Sequence, residues 1–290
     1  MSLRRIALVA LVAPVAVAAA ACADAPGPGD GAGSPSDASG DPTQLLLRWG
    51  YEGGFTPPEF QLTNLPAFSL YADGTIVRPG PQIEIYPGPA LPALESIVVD
   101  EAGIDAIIDA AFDADLDTVD DLTDMGSVAI ADAPETVFTL RASGVDRTVR
   151  VYALGELGGQ PPLMPDHEYE ARRRLLDLVD QLSSLESWLP DGSIGASTVF
   201  EPAGVRAFVA EYRGKPDLPQ PKIGWPLSAP LATIGDDAGA GLRCVSVTGA
   251  EWTVELQPVA RSANQLTPWT SRGERYAVSF RPMLPDETTC

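Results

Sequence analysis

The amino-acid sequence predicts an α+β fold. It reads as antiparallel sheet built from hairpin-then-helix units, followed by a smaller strand-helix-strand region closed by a disulfide. Three observations predict this. Phe68-Ser69-Leu70-Tyr71-Ala72-Asp73-Gly74 nearly repeats as Phe138-Thr139-Leu140-Arg141-Ala142-Ser143-Gly144. Each copy is followed by apolar residues at helical spacing, and Cys244 and Cys290 bracket the last strands.

In the first unit, Asp73-Gly74 supplies the positive φ of a two-residue hairpin turn, and Thr75-Ile76-Val77 returns. The following helix carries Ile104, Ile107, Ile108 and Ala111 on one face, with Asp100 as its N-cap. In the second unit Ser143-Gly144 forms the turn and Val145 to Tyr152 returns. The second helix enters at Asp166, packs Leu175, Val179, Leu182 and Leu185, and stops at Pro190-Asp191-Gly192. Glu168 with Arg172 and Glu170 with Arg174 form i,i+4 pairs, which places the run Arg172-Arg173-Arg174 on a solvated face. Two such units raise duplication, with convergent hairpin chemistry as the alternative.

After Gly192 the character changes. Val205 to Tyr212 reads as a strand and Lys215 to Pro221 as a proline-stiffened spacer. Then follow a strand (Leu242 to Val247), a helical stretch (Trp252, Leu256, Val259, Ala263) kinked or split at Pro258, and a strand carrying Tyr276, Val278 and Phe280. The expected divisions are 1–21, 22–43, 44–192 and 193–290.

The first two divisions carry an address. Arg4-Arg5 precede an apolar run from Ile6 to Ala21, too short for a membrane span of about 20 residues. This describes a signal peptide. It ends Ala19-Ala20-Ala21-Cys22, which resembles the lipobox of bacterial lipoproteins. That resemblance implies a lipid on Cys22 and cleavage before it. From Ala23 to Pro42 only Ala, Asp, Gly, Pro and Ser occur, a composition expected to remain a disordered tether. The stretches FSLYADGT, ADAPETVFTL, ANQLTPW and RPMLPDETTC look like those of actinobacterial secreted lipoproteins. The resemblance implies export and membrane anchoring, and brings no activity and no site residues. With Cys22 committed to lipid, Cys244 and Cys290 form the even pair that an exported chain joins.

Composition narrows the partners. The net charge is −21, with 19 Lys plus Arg against 40 Asp plus Glu. Such a chain repels nucleic acid, so the expected partners are the membrane through its lipid and an envelope protein or glycan. His167 is the sole histidine, which excludes HExxH zinc sites; no P-loop, GxGxxG, GxSxG or CxxC occurs. No cofactor and no catalytic residue is therefore expected. A hydrolase working through paired carboxylates is the rival class, and spacing identifies no pair.

Two stretches remain as candidate sites. Asp113, Asp115, Asp117, Asp121 and Asp124 fall at positions 1, 3, 5, 9 and 12 of a calcium-loop pattern, after a helix. Thr118 stands where that loop needs glycine, and Asp124 where it needs glutamate. The plainer reading is a charged connector. The second stretch, "RWGYEGGFTPPEF", gathers Trp49, Tyr51, Phe55 and Phe60, and Trp269 lies in "ANQLTPW". Loop aromatics mark contact surfaces or plug loop-rich cores, and the core reading is the expectation.

Overall fold

Two antiparallel-rich sheets, each with its own core, make up the computed structural model, which describes residues 41–125, 130–156, 159–160 and 163–290. The signal peptide, Cys22 and nearly all of the tether lie outside these residues. Among the described residues no helix is long and apolar enough to cross a membrane.

The first sheet begins with β1 (Leu45–Gly53), followed by a short helix α1 (Pro58–Thr63). Strands β2 (Phe68–Tyr71), β3 (Thr75–Pro79) and β4 (Leu94–Val98) lead to helix α2 (Glu101–Asp113). Strands β5 (Pro134–Leu140) and β6 (Arg147–Tyr152) lead to helix α3 (Asp166–Ser183), and β7 (Thr198–Val199) closes the sheet. The order is β6-β5-β1-β2-β3-β4-β7.

The near-repeat lies on the two sides of β1. Trp49 is flanked by Phe68 on β2 and Phe138 on β5; Leu47 is flanked by Leu70 and Leu140. Period-two alternation sends these residues to one face, where α2 and α3 cover them. The core there holds Leu47, Phe68, Phe138, Ile107, Leu175 and Leu178, all essentially buried. Asp100 caps α2, its side chain accepting from Gly103 N–H at 2.9 Å.

The first turn differs from the two-residue expectation, and the second keeps it at its tip. The first loop has three residues, 72–74. Gly74 takes φ +81° and donates its N–H to the Tyr71 carbonyl, and an added Cβ would sit 2.1 Å from the Val99 oxygen. Only glycine fits there. At the second, Ser143 and Gly144 both take positive φ and Val145 N–H bonds the Ala142 carbonyl, a type I′ tip. Pairing stops short of it at Leu140 opposite Arg147, because the Arg141 N–H turns to the Leu46 carbonyl on β1.

The helix face also needs correction. Arg172 is not solvated; it is 2% exposed. Its guanidinium donates to the carbonyls of Tyr152 (2.8 Å), Leu122 (2.6 Å) and Asp124 (3.2 Å), and to Glu168. Arg174 pairs with Asp115 at 2.7 Å rather than with Glu170.

The second sheet runs through β8 (Gly204–Glu211), β9 (Ile223–Gly224), β10 (Asp236–Gly239) and β11 (Leu242–Thr248). A wide π-helical segment (Glu251–Leu256) passes into α4 (Gln257–Arg261), and β12 (Trp269–Ser271) and β13 (Glu274–Pro282) finish it. Pro258, with no N–H to give, sits just inside α4, so the expected split is resolved as one widened turn. The order is β10-β11-β8-β13-β12-β9, antiparallel except for β9 beside β12. Val205, Ala207, Val209, Trp252, Leu256, Trp269 and Phe280 form its core. Cys244 on β11 is joined to Cys290 by a disulfide. The described residues form one compact unit.

Candidate functional site

The face of the first sheet opposite α2 and α3 is partly open, and there Arg48 emerges from β1 between Ser69 and Thr139. Its Nε donates to Ser69 Oγ at 2.9 Å. Its Nη2 donates to Tyr71 Oη at 3.1 Å and to Asp286 Oδ1 at 2.7 Å. Tyr71 donates its hydroxyl to the same oxygen at 2.9 Å. Burial, with Asp286 adding, raises the Tyr71 pKa above the usual phenol value despite Arg48 beside it. The phenol is therefore a donor, fixed in place by a carboxylate from far along the chain.

The second sheet offers two more guanidinium groups to the same groove. Arg206 on β8 lies directly opposite Arg281 on β13. Like charges so placed repel, and each must be answered. Arg281 forks onto both oxygens of Glu287 and donates its Nε to the Asn64 carbonyl at 2.9 Å. Burial would raise the Glu287 pKa, but the Arg281 fork outweighs it and holds the carboxyl below its usual range. Arg206 donates Nη2 to the Thr288 carbonyl at 2.6 Å. Its buried Nε has no partner among the described residues.

One wall of the groove is the segment after β1. Gly53 and Gly54 take φ +71° and +76°, turning the chain outward so that Phe55 stands 86% exposed. Pro58 starts α1, which presents Phe60, and Glu59 bonds Ser279 on β13. Tyr51 sits edge-on to Trp49, its ring 5.6 Å away. The groove so formed has a volume of about 1020 Å³, with Phe55 and Phe60 along one wall and Arg48, Arg206 and Arg281 on its floor; the Tyr51 ring lies on the Trp49 face of β1. Glu52, Asp132 and Glu287 also line it; Glu52 is paired with Arg150 at 2.7 Å and Glu287 with Arg281.

The expected core reading of the aromatics thus splits. Trp49 and Trp269 are buried, the latter edge-on to Trp225 and Phe280. Phe55 and Phe60 are exposed instead, because two left-handed glycines turn the chain outward at the end of β1, and Tyr51, still within β1 on the Trp49 face, is half-exposed near the strand end. His167 is exposed in the first turn of α3.

The acidic run is not gathered around a common centre. Asp113 ends α2 and Asp115 pairs with Arg174. The carbonyl of Asp117 accepts from Arg147, and Asp121 accepts the Arg150 N–H at 2.9 Å. The Asp124 carbonyl accepts from Arg172. Leu122 bridges Val151 in parallel, so the run closes the outer edge of β6. Guanidinium groups stand against this backbone where a calcium loop would present its oxygens to a cation. Among the described residues no three His, Cys, Asp or Glu side chains are grouped to hold a metal ion.

Sequence reading singled out the aromatic stretch but expected it in the core, and it missed the arginine floor. The partners of Arg48 and Arg281 fall after the last strand, 238 positions away in the case of Arg48, and no local pattern signals such a pairing. No family model matches the chain, and no curated protein or solved structure is similar to it.

Proposed function

We propose that the chain is a binding module of the cell envelope, held at the membrane by a lipid on Cys22 and engaging a protein partner through the groove between its sheets. The observation that carries the reading is the aromatic wall. Phe55 and Phe60 are large, exposed and line the same groove as three arginines, the composition of interface anchors. The lipobox-like Ala19-Ala20-Ala21-Cys22 and the Ala/Asp/Gly/Pro/Ser stretch after it support the anchoring. The strong negative charge supports a partner that is not nucleic acid. The reading assigns no reaction and no cofactor to the chain.

The test pairs two variants in native envelopes. Phe55→Ser with Phe60→Ser should keep the fold and membrane partitioning, and lose a discrete cross-linked partner that the wild type retains. Cys22→Ser should move the protein from the detergent phase to the aqueous phase. Equal cross-linking by the aromatic variant defeats the groove; wild type in the aqueous phase without lipid mass defeats the anchor.

A further inference from the structure

We propose that the arginine floor is a site for an acidic peptide, occupied here by the chain's own residues 283–290 and latched by the Cys244–Cys290 disulfide. This rests on the groove being a partner surface, and gives that surface a ligand chemistry and a control.

Three guanidinium groups from two separate sheets converge on one groove, and one eight-residue segment answers all three. Asp286 takes Arg48, Glu287 takes Arg281, and the Thr288 carbonyl takes Arg206. The match is imperfect at one point. A carbonyl offers Arg206 a single oxygen, and its buried Nε is left without a partner; a carboxylate would offer two oxygens to the fork. The segment thus resembles a ligand with one acid missing, and a better ligand carries Asp-Glu-Glu where the chain has Asp286-Glu287-Thr288.

The latch is accessible. Leu284 is buried against Leu45, Tyr71, Val77 and Leu94, but Cys290 is exposed. A thiolate of an external dithiol can attack the Cys290 sulfur, forming a mixed disulfide and expelling Cys244 as a thiolate that takes up a proton. The second thiol of the reductant then displaces Cys290 as a thiol. The protein disulfide is reduced by two electrons and the dithiol becomes a disulfide. The segment is then held through β13 and no longer through the link to Cys244. Its effective concentration remains about millimolar, so a competing peptide is needed at similar levels.

Fluorescence anisotropy of two labelled peptides, Leu-Pro-Asp-Glu-Thr-Thr and Leu-Pro-Asp-Glu-Glu-Thr, tests this on the oxidised chain, the dithiol-treated chain and Cys290→Ser. The opened forms should bind the Asp-Glu-Glu peptide about tenfold more tightly than the oxidised chain, since the tether no longer holds the competitor in register. Arg206→Gln should erase the preference for Asp-Glu-Glu over Asp-Glu-Thr while leaving the fold intact. Opened protein that ignores both peptides, or oxidised protein that binds equally well, overturns the proposal. If that happens while the Phe55/Phe60 variant still loses its partner, the groove reading stands without the latch. If the peptide binds and the aromatic variant keeps its partner, the groove reading falls and the anion site remains.

Discussion

Arg172 occupies the N-terminal half of α3 with its guanidinium against three carbonyls and one carboxylate. Burial pulls its pKa below the usual guanidinium value, with Glu168 opposing. Its position was legible in part. It lies three residues before Leu175 and seven before Val179, on the buried stripe, yet the i,i+4 partner Glu168 suggested an outward face. What the stripe could not show is the carbonyl set, which comes from the acidic run and the end of β6. Arg172→Met keeps the hydrocarbon stem and orphans those acceptors. We expect a loss of about 3 kcal/mol, as for breaking a buried charge pair, and a melting temperature lower by roughly 6–12 °C. Arg173→Met, its neighbour, should change little; equal effects of the two in thermal denaturation would contradict the clamp.

Among the elements, β1 was the least legible and the most central. The hairpin strands, the two long helices, β8, β11 and β13 follow from alternation, turn residues and helical spacing. In β1 the alternation is broken by an irregularity in pairing between Leu45 and Leu47, and Gly50, Gly53 and Gly54 dilute its strand character. It is a strand because both neighbours offer it matching partners, a tertiary cause. The segment after β13 is irregular for the same reason: it is held by three arginines, on β1, β8 and β13. Acid should loosen it. The Glu287 pKa is depressed in the fold, so its stabilising pairing is present above the ordinary carboxylate range and is lost as pH falls through the lowered value. The Leu284 N–H, which donates to Glu287 at 3.1 Å, reports this directly. Its hydrogen exchange, corrected for intrinsic rate, should stay slow above the ordinary carboxylate value and accelerate as pH falls below it. Glu287→Gln should already exchange fast at the upper pH; protection unchanged by either would separate the carboxylate from the segment's order.

For the whole molecule the dominant field is negative, −21 over the chain. Raising sodium should stabilise it by screening. Calcium at matched ionic strength should add nothing, because the guanidinium groups of Arg147, Arg172 and Arg174 already stand against the acidic run. A true site at a hundredfold excess would add about 2.7 kcal/mol, several degrees of melting temperature. A calcium-specific shift of that size would reinstate the loop. The two sheets have separate cores, each a candidate unit of melting. Residues 283–290 touch both: Asp286 holds Arg48 in the first sheet, Glu287 holds Arg281 in the second, and Leu284 is packed among Leu45, Tyr71, Val77 and Leu94. The segment is thus one link between the sheets, beside Glu59 with Ser279, Asn64 with Arg281, and Pro89 bridged to Asn264. Calorimetry of the oxidised protein should give one transition whose van't Hoff and calorimetric enthalpies agree, and reduction should resolve two, each with the enthalpy of a half-sized domain. A short stretch with no regular structure of its own would then decide whether the protein comes apart once or twice.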